Sequence, residues 1–137
     1  MKKKFIILIV SIIFIIIMIF AGLFIPKRNT VNMSFAKKAE VFFKHESTNI
    51  DIVLSEQELS SICDICDGKE MYRDNPSCSF SEDVAIKFND KQTFCLARDT
   101  CPIIYWKEKD KYFNITEEEK EKLYSILEYY GIYFPCV

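Results

Sequence analysis

The most pronounced feature of the hydrophobic pattern is residues 5–25, where only Ser11 and Gly22 interrupt the apolar side chains. A helix rising 1.5 Å per residue would carry this stretch through roughly 31 Å, close to the hydrocarbon thickness of about 30 Å. Lys2, Lys3 and Lys4 precede it, and Pro26, Lys27 and Arg28 follow. The pattern predicts a single-pass signal anchor, with its N-terminus cytoplasmic and the rest extracytoplasmic in the cell membrane. Cleavage after Ala21 or Gly22 would make the protein secreted instead, but the apolar run is longer than a signal peptide needs and lacks a small-x-small site. Leu23 stands where a lipoprotein box requires its modified cysteine.

Beyond residue 36 the period changes. Ser55-Glu-Gln-Glu58 and Thr116-Glu-Glu-Glu119 have the form of capping boxes, in which a hydroxyl and a third-position carboxylate satisfy amides left free at a helix start. After the second, Leu123, Ile126, Leu127 and Tyr130 form an apolar stripe that Gly131 ends, predicting a helix over about 117–130. After the first, Leu59, Ile62, Cys63 and Cys66 share one face and Gly68 is the stop. Elsewhere the alternation is two-fold: Ile50, Ile52 and Leu54; Val84, Ile86 and Phe88; and segments 39–44, 92–97, 103–107 and 111–115. The predicted order is β-β-α-β-β-β-β-α. Short connections favour an antiparallel sheet with both helices on one face, an α+β two-layer domain. The predicted organisation is a cytoplasmic N-terminus at 1–4, a transmembrane helix at 5–25, a linker at 26–36 and the domain at 37–137.

Composition changes this picture in one respect. Half of the 137 residues are hydrophobic, but the excess lies in residues 5–25. Without Lys2 to Lys4 the chain has 15 basic and 20 acidic residues, a formal net charge of −5. That balance gives a phosphate backbone nothing to bind, so nucleic acid is excluded as a partner.

The six cysteines, Cys63, Cys66, Cys78, Cys95, Cys101 and Cys136, all follow the apolar run, which predicts structural disulfides. A Cys95–Cys101 bridge would staple a hairpin, and a bridge from Cys136 would fasten the C-terminus. Cys63-Asp-Ile-Cys66 is also a possible redox pair, the basis of an alternative reading as an anchored thiol-disulfide oxidoreductase. Its place near the C-terminal end of a helix, beside Asp64 and Asp67, disfavours thiolate. A zinc-stabilised module is a further alternative, but no second Cys-x-x-Cys supplies the other two ligands.

His45 and Ser47 lie close together without a nucleophile-elbow motif, and His45 is expected as an exposed residue at a strand end. Asp64, Asp67, Glu70 and Asp74 do not have the spacing of a calcium loop, and three scattered glycines exclude a phosphate loop. Asn32-Met-Ser34 and Asn114-Ile-Thr116 fit the glycosylation pattern, although Thr116 already has a capping role. Among the crowded C-terminal aromatics, Trp106, Tyr124 and Tyr129 are expected to form an exposed interaction patch. No catalytic residue, cofactor or metal is expected.

Asp74-Asn-Pro-Ser-Cys78, Val84-Ala-Ile-Lys-Phe88, Cys101-Pro-Ile-Ile-Tyr105 and Lys111-Tyr-Phe-Asn-Ile-Thr-Glu-Glu118 resemble segments of a set of small membrane-anchored or secreted proteins of clostridia-like Gram-positive bacteria. The resemblance runs over most of residues 50–137. It implies a location and a fold type, but no catalytic residues. The sequence thus predicts a bilayer-anchored, non-enzymatic module that binds another protein or an envelope component.

Overall fold

A computed structural model describes residues 2–24 and 29–137. Helix α1 spans Lys2–Phe24. Its large apolar side chains between Ile6 and Phe20 are exposed. Among the described residues, no helix is long and apolar enough to cross a membrane. This corrects the expected transmembrane anchor at 5–25 and, with it, the single-pass location.

The remaining elements are β1 (Ala39–His45), β2 (Thr48–Val53), α2 (Glu56–Cys66), β3 (Met71–Tyr72), β4 (Val84–Phe88), β5 (Gln92–Leu96), β6 (Ile103–Trp106), β7 (Lys111–Asn114) and α3 (Glu117–Glu128). The strands form one sheet in the order β2-β1-β4-β5-β6-β7-β3, and every pairing is antiparallel. The α+β sheet-and-helix class is as the sequence predicts, with one strand more. β3 has only two residues, too few for alternation to show, and its pairing with Tyr112 and Phe113 of β7 defines it.

Register places Val41, Ile86, Phe94, Ile104, Trp106 and Phe113 on one face. Ile62, Ile65 and Cys66 of α2 and Leu123 and Leu127 of α3 join them in a single buried cluster. Both capping boxes are formed, with Ser55 and Thr116 accepting from the amides of Glu58 and Glu119. Phe94 is the hub, packing edge-on against Phe88, Trp106 and Phe113 at centroid distances of 4.9–5.3 Å.

The stretch expected as a linker, 26–36, belongs to the domain over its described part. Val31 and Met33 are buried. The backbone of residues 29–31 bonds to Lys69, Gly68 and Met71, covering the outer side of β3. Asn89 holds the next residues by accepting from the Lys37 and Lys38 amides and donating to the Phe35 carbonyl. Met33 is alternated with polar Asn32 and Ser34 in a 3-10 turn, which hides its apolar role from a pattern search.

Candidate functional site

Two regions carry polar or reactive chemistry: the sheet face away from the helices, and the free edge at β2. On the outer face, Tyr72, Tyr112 and Tyr105 form a row of stacked rings, 6.0 Å and 4.8 Å between neighbouring centroids. The loop 73–83 folds over this row. Phe80 packs on Tyr105 and Tyr112, the Tyr112 hydroxyl donates to Asn75 Oδ1, and Lys107 pairs with Glu82 at 2.5 Å. Burial, then the neighbouring Asp110 carboxylate, pushes the Tyr105 hydroxyl up to about 12.

The loop is fixed by a disulfide between Cys78 and Cys101, 23 residues apart in sequence. This realises one of the pairings open to the six cysteines and leaves Cys63, Cys66, Cys95 and Cys136 as free thiols. A Cys95–Cys101 staple, one of the pairings the sequence allows, is therefore not formed. Cys95 is on the outer face opposite Tyr105, buried, with its thiol pushed up to about 11 by that burial. Nor does Cys136 make a bridge. The C-terminus is instead held by Arg98, whose Nε and Nη2 donate to the Cys136 carbonyl at 2.9 and 2.6 Å. The Cys136 amide returns a bond to the Arg98 carbonyl.

Cys63 and Cys66 occupy the last turn of α2, and Asp67 caps that end. Cys66 is fully buried and its thiol is raised far above the ordinary range by desolvation. Cys63 is half-buried in a concavity lined by Asn32, Met33, Ser34, Asp64 and Asp67. Burial, then Asp64 and Asp67, raise its thiol too. Both groups are held as thiols where a dithiol nucleophile needs thiolate. Asp67 has a structural task that sequence reasoning missed: its Oδ1 accepts from the Met33 amide at 2.8 Å.

His45 is not merely an exposed strand end. Its Nδ1 lies 3.3 Å from Arg98 Nη2, and its ring meets Tyr133 at 5.7 Å. Ser47 is exposed in the turn that follows. Arg98, which links this histidine to the C-terminal strap, has no sequence signal beyond being an arginine at a strand end.

The expected aromatic patch does not assemble. Trp106 is buried, with its indole N–H donating to Gln92 Oε1 at 2.7 Å and Lys109 Nζ 3.9 Å from its ring centre. The alternation in β6 is real but opposite in sense, because pairing with Phe94 turns Trp106 inward and leaves Tyr105 on the outer face. Tyr124 is half-buried, stacked on Phe134 at 4.2 Å, and burial raises its hydroxyl to about 12. Of the three, only Tyr129 is freely exposed, at 83%.

The two sheet edges differ. β3 is covered by residues 29–31, whereas β2 is the terminal strand on the other side. His45 and Thr48 close a two-residue hairpin, and Leu54 N donates to Ala39 O at 2.9 Å. Antiparallel alternation then directs the backbone groups of Thr48, Ile50 and Ile52 toward β1 and those of Asn49, Asp51 and Val53 outward. Comparison with protein families, with curated proteins and with solved structures finds no match to the chain.

Proposed function

We propose that the domain is a non-enzymatic binding module that takes an extended segment of another protein as an added strand along β2. The observation that carries this reading is the outward row of amide and carbonyl groups at Asn49, Asp51 and Val53 on β2, which among the described residues is the terminal strand of the seven-stranded sheet. Such a row is a template for strand addition, in which main-chain bonds supply affinity and side-chain positions supply selectivity. Val53 is 56% exposed and offers a β-branched surface beside that row. On the helix side, Ile50 and Ile52 are half-buried, and Ile50 Cδ1 reaches toward Gly131 just beyond α3. An incoming strand would therefore meet an apolar floor on one side and Asn49 and Asp51 on the other, which favours a segment alternating apolar with polar or basic residues.

The test is selection of seven-residue peptides displayed against the full chain, followed by binding of the selected peptides to Asp51→Pro. Proline removes an outward N–H and leaves the β1 ladder intact, because the residues bonded to β1 are Thr48, Ile50 and Ile52. The expected result is a loss of at least tenfold in affinity with an unchanged circular dichroism spectrum. Undiminished binding by Asp51→Pro, or a selection that yields no alternating peptides, overturns the reading.

A further inference from the structure

The loops that carry the disulfide also bring a carboxylate to it. The ligand-type atoms of Cys78, Asp99 and Cys101 all lie within 4.8 Å of one another. Asp99 Oδ1 is turned back over the same loop, facing the Cys101 amide at 3.4 Å. Thr100, between them, has φ +70°, a left-handed conformation that a β-branched residue rarely adopts. That turn sets the Asp99 and Cys101 side chains on the same side of the chain as Cys78. Lys120 Nζ, which also pairs with Glu117, donates to the Thr100 carbonyl at 3.3 Å and so ties this turn to α3.

We propose that Cys78, Cys101 and Asp99 form a redox-gated zinc site, closed by the disulfide and opened by its reduction. Two equivalents of a glutathione-type thiol transfer two electrons and two protons to the disulfide, giving the Cys78 and Cys101 thiols and one disulfide of the small thiol. Zinc then binds as both thiols release their protons to water, with the Asp99 carboxylate as third ligand and a water molecule as fourth. Around a tetrahedral zinc with Zn–S of about 2.3 Å and Zn–O of about 2.0–2.2 Å, ligand atoms are separated by roughly 3.5–3.8 Å. Once the disulfide is broken the two sulfurs have only to part to that separation, and the Asp99 carboxylate already lies within 4.8 Å of both, so local motion of two loops suffices. The oxidised protein lacks the two thiolates and has no such site. Softness of the donor set favours zinc over magnesium or calcium.

The probe is zinc alone, added to the full chain before and after reduction by a phosphine and followed by native mass spectrometry. Cobalt substitution reports the ligands by its thiolate charge-transfer absorption. The expected result is no retained metal in the oxidised protein and one retained zinc in the reduced protein. Zinc should slow alkylation of Cys78 and Cys101, as read by peptide mapping, and Asp99→Asn should weaken binding by at least tenfold. The double variant Cys78→Ser with Cys101→Ser should abolish retention. Metal retained equally by the double variant, alkylation protection falling on Cys63 and Cys66, affinity unchanged in Asp99→Asn, or a reduced protein that takes no zinc each overturns the proposal. Should the double variant fail to fold, the alkylation map of the reduced wild-type chain decides alone.

Discussion

The two faces of the sheet are stabilised by different means. On the helix side, α2 and α3 bury Phe43, Phe88, Phe94 and Phe113 completely or nearly so. On the outer side, an irregular loop covers half-buried tyrosines through ring contacts, single hydrogen bonds and one disulfide. A regular helix presents a continuous apolar stripe, whereas a loop of mostly polar residues cannot, so the second face depends on a covalent constraint.

The largest expected effect is on the helix side. Phe94→Ala would remove the ring on which Phe88, Trp106 and Phe113 converge. Truncation of a fully buried phenylalanine costs about 3–5 kcal/mol through lost transfer energy and the residual cavity. Denaturant unfolding should show that loss, whereas Phe80→Ala on the outer face should cost roughly half as much, because Phe80 is only half-buried. Equal losses at the two positions would abolish the distinction between the faces.

Next in size is the disulfide. Closing a loop of 23-residue separation should stabilise the chain by about 3.5 kcal/mol in the loop-entropy account. Replacing Cys78 and Cys101 together with serine is therefore expected to lower the unfolding free energy by that order. Native-state hydrogen exchange should rise first in 73–83 and leave α2 and α3 protected. Uniform loss of protection would show that the staple serves the whole domain rather than one face.

The helix side was also the more legible in sequence. Its capping boxes and apolar stripes are local signals, and Leu123, Leu127 and Ile62 occupy the predicted interior. The outer face was not legible, because it is made by long-range placement. Nothing local pairs Cys78 with Cys101 among six cysteines, and nothing in β6 states whether Tyr105 or Trp106 faces inward until Phe94 sets the register. The two-residue β3 and the edge cover at 29–31 likewise exist only through their partners. The open β2 edge depends on strand order, which alternation alone does not reveal. The apolar N-terminal run reads most directly as a membrane span, and the structure corrects that expectation, since among the described residues no helix is long and apolar enough to cross a membrane.

A smaller effect tests how the helix side is fastened. Thr116→Ala removes the hydroxyl that accepts from the Glu119 amide at 3.1 Å. Loss of such a cap costs about 1 kcal/mol, which should appear as a lower denaturation midpoint with an unchanged slope. A serine at the same position should restore most of it.

The smallest expected effect is a pH dependence confined to the same side. Burial acts to raise the Glu119 carboxyl. Lys69 at 2.6 Å and the Thr116 amide and hydroxyl outweigh it and hold the carboxyl below its ordinary value of 4.5. Glu58 is likewise buried in part, yet Ser55 and the Tyr130 hydroxyl hold it low. A carboxyl depressed in the folded state adds stability that is fully present above its unfolded value and is lost as pH falls through the folded one. Stability should therefore be level above about pH 5 and decline from about 4.5 downward. Glu119→Gln and Glu58→Gln should each flatten that decline, as measured by thermal midpoints between pH 6 and 3. If the acid-induced loss is unchanged in both variants, the two carboxylates do not set it. If exchange in 73–83 rises with acid before that in α2 and α3, the acid-sensitive fastening belongs to the outer face instead.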